Sequence, residues 1–159
     1  QSTPAEQPAY SDGTLTFASV DKDNLQTGVQ ISLTGQFTIG FVFAPAISAP
    51  GTLLADNSGL AAGQEFIKYT STTALRIKID GSTANLSLDS GVFGEVLTLW
   101  QNGVAQSGTQ TLPGTADIDA IGVRETNQDY LDGAIKEIQI YSSSSSDLTA
   151  NVNARLSTL

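Results

Sequence analysis

A regular alternation of apolar and polar residues runs through the chain and restricts its fold more than any other feature. In QFTIGFVFA, Phe37, Ile39, Phe41 and Phe43 lie on one face of an extended chain, and the residues between them lie on the other. The segments GTLTFASV and ALRIKID show the same two-residue period. This period is typical of β-strands that have one face in a core and the other in water. It predicts an all-β chain.

Dipeptides that favour tight hairpins separate several of these segments. Asp80-Gly81 follows ALRIKI, and Asn102-Gly103 lies between VLTLWQ and VAQS. Both dipeptides tolerate the positive φ angles that two-residue hairpin loops need. Further strands are predicted at residues 51–55, 65–69, 118–123 and 134–141. Many short strands joined in this way predict an antiparallel two-sheet sandwich or barrel.

The two ends of the chain depart from the strand pattern. Residues 1–11 are polar, include two prolines and have no period, which predicts a linker or arm before one domain at residues 12–159. Near the C terminus, Leu148, Val152 and Leu156 recur every fourth residue. Ser146 or Asp147 can cap a helix there. We therefore expect a short C-terminal helix that packs on the sandwich.

Charge and missing residue types exclude several classes of function. The 159 residues include 7 basic and 16 acidic ones, for a net charge of −9, which speaks against a nucleic-acid partner. No apolar run approaches the ~20 residues of a membrane span, so membrane insertion is not expected. The chain contains no His and no Cys. This excludes Ser-His-Asp triads, cysteine nucleophiles, and thiolate or imidazole metal sites.

Three segments, in this order, resemble the laminin-G-like branch of the concanavalin A-like lectin/glucanase superfamily. They are QFTIGFVFAPA followed by GTLLADNSG, then GEVLTLWQNGVAQSG, then AIGVRETNQDYLDGAIKEIQIYSSSSSDL. The first is similar to the family's entry strand, the second to its Asn-Gly hairpin, and the third to its closing strand. The resemblance implies a jelly roll of two antiparallel sheets, one of them concave.

The resemblance does not extend to the catalytic residues of glucanases with this fold. Those enzymes carry Glu-x-Asp-x-x-Glu, or a close variant, on one strand, so that two carboxylates flank the sugar bond. Glu95 and Glu137 each lack a second acid at that spacing, and Asp117-Ile118-Asp119 has no downstream Glu. We therefore expect a chain that is not an enzyme.

Calcium is the one metal that the composition permits, because it binds carboxylate, amide and carbonyl oxygens. Candidate ligands are Asp56 and Asn57 after one strand, and Glu125, Asn127 and Asp129 in a later loop. In calcium-binding pentraxins of the same superfamily, an Asp-Asn pair and an acidic-amide loop occupy similar places. The resemblance thus implies a calcium site in which the two loops converge. The alternative is that these residues only stabilise turns.

A sugar site requires aromatic side chains with polar groups beside them. Trp100 lies on the face of its strand that carries Thr98, opposite to Leu97 and Leu99, and is a candidate for stacking on a sugar ring from the concave sheet. Tyr130, in the acidic loop with Asn127, is a candidate contact at the rim of the site. The alternative role of Trp100 is packing in the core or the hairpin.

Two functions remain open. The first is a non-catalytic binding module of an extracellular, cell-surface or virion protein that recognises carbohydrate or a surface receptor, with or without calcium. The second is a structural or accessory module, such as part of a phage tail, a capsid decoration or a bacterial surface protein. That module would act through protein–protein assembly without binding glycans, and it predicts an oligomer.

Overall fold

The computed structural model describes residues 6–46, 50–57, 65–71, 74–79, 82–86, 91–93, 95–97, 100–101, 104–105, 110–112, 115–124 and 128–159. Strands dominate these residues, and the single α-helix among them, α1, spans Ser146–Leu156. The strands are β1 (Ala9–Ser11), β2 (Thr14–Phe17), β3 (Leu25–Thr34), β4 (Thr38–Pro45), β5 (Gly51–Ala55), β6 (Glu65–Ser71), β7 (Ala74–Ile79), β8 (Ser82–Leu86), β9 (Gly91–Phe93), β10 (Glu95–Leu97), β11 (Trp100–Gln101), β12 (Val104–Ala105), β13 (Gln110–Leu112), β14 (Thr115–Ile121) and β15 (Gly133–Tyr141).

Two antiparallel sheets form the body of the protein. The four-stranded sheet has the order β1-β2-β15-β4, and the six-stranded sheet has the order β3-β14-β5-β6-β7-β8. The remaining strands form a small sheet β10-β9-β13, in which β9 and β13 are parallel, and the hairpin β11-β12. The predicted two-sheet β-sandwich with a short C-terminal helix is confirmed.

The core lies between the two large sheets, where their apolar faces meet. Phe43 of β4 packs against Tyr69 of β6, with ring centroids 6.2 Å apart. Phe17 of β2 and Ile118 of β14 are fully buried in the same cluster. The side chains of Ile39, Phe41 and Phe43 all pack against this cluster, as the alternation predicted. Stability therefore rests mainly on the burial of these apolar side chains.

Both predicted hairpins have the expected strand pairing. Ile79 of β7 pairs with Ser82 of β8, so the two residues between them, Asp80 and Gly81, connect the strands. Gln101 pairs with Val104 across the second two-residue connection. The connecting residues themselves lie outside the described part of the chain.

Two local features at the ends of the chain differ from the sequence prediction. Within the segment predicted as a linker, Ala9–Ser11 forms β1 and pairs with β2 through a two-residue loop at Asp12 and Gly13. Both loop residues have positive φ, 50° and 73°. The helix is capped by Ser145, whose Oγ accepts from the Leu148 N–H at 3.1 Å, and not by Ser146 or Asp147.

Helix α1 covers the outer face of the four-stranded sheet at β4. Its one buried residue, Val152, lies over Gly40, where a Cβ would come within 2.4 Å of Val152 Cγ1 and 2.8 Å of Leu156 Cδ1. The missing side chain thus permits the close approach of the helix. Arg155 of α1 also forms an ion pair with Glu137 of β15, at 2.6 Å.

No helix in the described ranges is long and apolar enough to span a membrane.

We expect Gly40→Ala to lower the free energy of unfolding by about 1–3 kcal/mol, because the added methyl group overpacks the helix–sheet contact. Urea unfolding of the variant measures this change. Val152→Ala removes the nearest clashing atom, so the double variant should lose less than the sum of the two single losses. Additive losses would contradict the contact between Gly40 and Val152.

Candidate functional site

The candidate site lies on the outer face of the six-stranded sheet, where the register brings polar side chains together. Thr52 of β5 pairs with Lys68 of β6, which in turn pairs with Arg76 of β7. Tyr69 and Leu75, the neighbours of Lys68 and Arg76, are buried in the core. Because successive side chains of a strand point to opposite faces, Lys68 and Arg76 face away from the core.

Residues 122–124 and 128–132, here called the closing loop, follow the C-terminal end of β14 beside β5. The Thr52 N–H donates to the Asp129 carbonyl at 2.9 Å, and the Leu131 N–H donates to the Gly122 carbonyl at 2.8 Å. Gly122 has a φ of 85°, and a Cβ there would lie 2.8 Å from the Phe17 ring. These bonds hold the described part of the closing loop next to the polar face of the sheet.

Asp129 of the closing loop forms the centre of a charged cluster. Its Oδ2 lies 2.7 Å from Lys68 Nζ and 2.9 Å from Arg124 Nε. Burial alone raises the pKa of the Asp129 carboxyl. The hydrogen bond from Lys68 and the charges of Lys68, Arg124 and Arg76 outweigh burial and hold this pKa below its ordinary value. The carboxylate is therefore ionised at neutral pH.

The three basic residues around Asp129 are called the cationic cluster below: Lys68, Arg76 and Arg124. They are three of the 7 basic residues of a chain with a net charge of −9. Lys68 is nearly buried, with its side chain 8% exposed, whereas the side chains of Arg124 and Asp129 are 21% and 30% exposed. Three basic side chains thus act on the one carboxylate of Asp129.

Thr52 adds an unsatisfied polar group to this face. Its side chain is fully buried, and its Oγ1 has no hydrogen-bond partner among the described residues. A buried hydroxyl without a partner costs about 1–3 kcal/mol, so such groups usually meet a water molecule or a ligand. The Thr52 hydroxyl is thus a buried polar group next to Lys68 for which the described residues provide no partner.

The residues predicted to bind calcium are only partly in the described ranges. Asp56 and Asn57 follow β5; Asp56 is buried, and the Asn57 N–H donates to Asp119 Oδ1 at 2.6 Å. The Asp129 backbone lies beside Thr52. Thr52 is in turn separated from Asp56 by about 13 Å of extended chain. Glu125 and Asn127 lie outside the described part of the chain.

Within the described residues, no group of three or more acidic side chains is arranged to hold a metal ion. The Asp129 carboxylate oxygen that contacts Lys68 and Arg124 would have to leave these cations in order to bind calcium. The calcium set therefore stays a prediction.

The predicted sugar-binding aromatic residues occupy two different places. Tyr130 follows Asp129 in the closing loop and is half-buried; burial, and then the negative charge of Glu6, raise the pKa of its hydroxyl. Trp100 begins β11 and pairs with Ala105 in the hairpin, apart from both large sheets. The Trp100 side chain is outside the described part of the structure, as is Asn127, so their predicted roles remain open.

The sequence interpretation missed the cationic cluster, although one signal for it was present. Lys68 interrupts the segment EFIKYT, in which its neighbours Ile67 and Tyr69 are apolar and buried. A lysine at a nearly buried position requires a partner, because an unpaired buried charge is costly. The partner, Asp129, lies 61 residues further along the chain, and no local pattern identifies it.

Comparisons with known proteins agree with the fold. No family model matches the chain, and no curated protein matches it. Among solved structures, it is similar to a point mutant of the NanB sialidase from Streptococcus pneumoniae, with a TM-score of 0.52 and 14% sequence identity. The match covers 96% of this chain and 28% of the sialidase chain. At this identity, the similarity concerns the β-sandwich fold alone.

Proposed function

We propose that this chain is a non-catalytic carbohydrate-binding module of an extracellular, cell-surface or virion protein, with its glycan site on the outer face of the six-stranded sheet beside the closing loop. The observation that carries the proposal is the set of fixed polar side chains there: Lys68, Arg124 and Asp129 hold one another within 2.9 Å. The laminin-G-like sequence resemblance and the sandwich of similar fold within a sialidase support a binding module of this kind.

Fixed donors and acceptors suit the recognition of sugar hydroxyl groups. A side chain that is already held in place loses little conformational entropy when a ligand binds, which favours affinity. Tyr130, next to Asp129, is half-buried and offers an aromatic surface at the edge of the cluster. Together they provide the few convergent polar groups and the apolar contact that small-ligand sites require.

The charge state of Asp129 argues against one catalytic role, that of a general acid. A glycosidase needs one carboxylic acid with a raised pKa and a second carboxylate about 5–9 Å away. The pKa of Asp129 is instead lowered, by the hydrogen bond from Lys68 and the nearby cations, which outweigh burial. Asp129 is therefore unsuited to donate a proton at neutral pH.

A glycan array probed with the purified chain, in millimolar calcium and again with a chelator, tests the proposal. We expect glycan binding that falls at least about tenfold in Tyr130→Ala, because truncating an aromatic residue that anchors a ligand costs about 2 kcal/mol or more, and about 1.4 kcal/mol corresponds to tenfold. The melting temperature of this variant should stay close to that of the parent. Loss of binding in Trp100→Ala with full binding in Tyr130→Ala would instead place the glycan at the β11-β12 hairpin. Loss of binding with the chelator would assign calcium to the site.

Tyr10→Ala is the matched control, because Tyr10 is 73% exposed on β1 of the other sheet. This variant should bind glycans like the parent. An array on which the parent binds no glycan, with or without calcium, would contradict the proposed function.

The assembly module remains a second candidate, favoured by exposed apolar side chains on and near the edge strand β3. Val29, on β3, is 76% exposed, and Val20, in the 3-10 helix Ser19–Asp21 that precedes β3, is 84% exposed. Such side chains at a sheet edge suit pairing with another chain. Sedimentation over a range of concentrations distinguishes the two candidates: a concentration-dependent oligomer without glycan binding would favour assembly.

A further inference from the structure

We infer that the exposed edge of β3 pairs with the same edge of a second copy of this chain. The two strands run antiparallel and are related by a twofold axis that passes through Ser32. This inference goes beyond the proposed function: it concerns a different surface from the cationic cluster and does not depend on glycan binding. It follows from the exposure of β3, from its lack of charge and from its register with β14.

Strand β3 is a long strand at the end of the six-stranded sheet. Among the described strands it pairs only with β14, so the backbone N–H and C=O groups of its other edge are directed outward. Residues 26–32 are all exposed, on both faces of the strand. They include Val29, which is 76% exposed, and Ile31, which is 36% exposed. Such an edge is a template for pairing with another extended segment.

The lack of charge on β3 favours a second copy as the partner. With 7 basic and 16 acidic residues, two copies of the chain repel each other wherever their charged side chains meet. The 10 residues of β3 include no charged residue and no proline, two common devices that prevent edge strands from pairing. The edge of β3 is therefore a surface on which two copies can meet without opposing like charges.

The acidic residues of the neighbouring strand lie too far from the axis to prevent this contact. Asp117 of β14 pairs with Ser32, and its carboxylate accepts from the Ser32 hydroxyl. Across the proposed contact, the backbones of the two Asp117 residues are three strand spacings apart, about 14 Å. Salt screens charges over about 8–10 Å at ordinary ionic strength. Repulsion between the two copies of Asp117 is therefore largely screened.

The register with β14 defines the part of β3 that can accept a partner. Residues 31–34 pair with β14 one by one, whereas residues 27–30 lie opposite the single residue Asp119. These four residues form a bulge, in which the Thr27 hydroxyl donates to the Val29 carbonyl at 2.6 Å. A bulge interrupts the regular hydrogen bonding of a strand. The second copy therefore pairs with residues 31–34.

Symmetry and side-chain chemistry place the axis at Ser32. Residues directly opposite each other in an antiparallel pair point to the same face, so the twofold axis passes through a residue and not between two residues. With Ser32 on the axis, Ile31 lies opposite Leu33 of the second copy, and both side chains are on the core side of the sheet. With Leu33 on the axis, Ile31 would lie opposite Gly35 and gain no apolar contact.

Ser32→Cys tests this pairing directly, because the chain contains no other cysteine. The two thiols lie opposite each other across the axis, where Cα atoms are about 4.5–5.5 Å apart, within the range of a disulfide. With oxidised glutathione we expect a disulfide-linked dimer on a non-reducing gel. It should form at least about tenfold faster than in the control variants, because pairing raises the effective concentration of the thiols.

Two control variants carry a cysteine on exposed strand positions. Ser11→Cys lies on β1, the short edge strand of the other sheet. Thr34→Cys lies on β3 itself but two residues from the axis, so that its two thiols are about 13 Å apart along the strand direction. Both variants should remain mainly monomeric under the same oxidation.

Sedimentation over a range of concentrations measures the dimer without an added thiol. We expect the average mass of the parent chain to rise from that of a monomer towards that of a dimer. Ser32→Asp should stay monomeric over the same range, because it places two carboxylates opposite each other on the axis. Asn151→Asp is the matched control, since it makes the same change in net charge at an exposed position of α1, and it should dimerise like the parent.

The outcomes decide the inference independently of the proposed function, because no glycan is present in either experiment. A parent chain that stays monomeric at every concentration would overturn it, as would equal crosslinking of Ser32→Cys and Ser11→Cys. A dimer that persists in Ser32→Asp would place the contact on another surface and overturn it as well. If one variant of Ser32 does not fold, the other decides the question. Crosslinking selective for Ser32→Cys, or a dimer of the parent that Ser32→Asp abolishes, is the supporting result.

Discussion

Tyr69→Ala is expected to lower the free energy of unfolding by about 3–5 kcal/mol, the usual cost of removing a large aromatic side chain from a core. The Tyr69 side chain is 1% exposed, and its ring packs against Phe43 of the opposite sheet. A Cβ on Gly51 would lie within 2.7 Å of this ring, so the ring is also enclosed by β5. Its removal leaves a cavity at the contact between the two sheets.

Two further variants separate the contributions of the Tyr69 side chain. Its hydroxyl donates to the Asp132 carbonyl at 3.2 Å, so Tyr69→Phe should cost only about 0.5–1.5 kcal/mol. Tyr10→Ala makes the same truncation at a 73% exposed position and should be close to neutral. Urea unfolding measures all three. A Tyr69→Ala variant as stable as Tyr10→Ala would contradict the packing of Tyr69 between the two sheets.

Asp129→Asn is expected to lower the free energy of unfolding by about 2–4 kcal/mol at neutral pH. Loss of one partner from a buried ion pair costs about 3–5 kcal/mol, and the 30% exposure of the Asp129 side chain reduces this figure. The nearly buried Lys68 then loses its ion pair with the Asp129 carboxylate. Asn also tolerates the φ of 48° at this position, so the variant changes the charge without straining the backbone.

The same variant should change how stability depends on pH. The pKa of the Asp129 carboxyl is lower in the folded protein than in the unfolded chain: burial raises it, but Lys68 and the neighbouring cations lower it more. The stabilisation is therefore present above the ordinary pKa of an aspartate, and is lost as the pH falls through the lower, folded value. Unfolding of parent and variant, measured between neutral and acidic pH, should converge at the acidic end.

Asp12→Asn is the matched control for both measurements. Asp12 also has a positive φ, 50°, but it is exposed in the loop between β1 and β2. It should unfold like the parent throughout the pH range. If Asp129→Asn and Asp12→Asn gave the same pH profile, the ion pairs of Asp129 would contribute nothing to stability.

Local patterns in the sequence predict most of the strands, because side-chain alternation and turn chemistry are properties of neighbouring residues. Phe43 and Ile77 pack as their alternation predicts. The same reasoning could have found β1: Asp12-Gly13 is the same dipeptide as Asp80-Gly81, and it joins β1 to β2. The cap of α1 was misplaced because successive serines, from Ser142 to Ser146, offer equivalent side chains.

The candidate site was less accessible to sequence reasoning, because it depends on contacts between distant segments. The order of strands within a sheet is not encoded in any one strand, and Lys68 meets Asp129 only after the sheet has formed. Alternation correctly places Arg76 on the outer face. It does not indicate that this face is partly covered by the closing loop, or that a carboxylate lies there.

The position of α1 has a practical consequence for measuring ligand binding. The helix packs over Gly40 on the outside of the four-stranded sheet, and Lys136 Nζ donates to the carbonyl of Leu159. The C-terminal residue therefore lies on the opposite side of the sandwich from the cationic cluster. A biotin or an affinity tag attached at Leu159 should orient the molecule on a sensor surface with the cationic cluster towards the flowing solution.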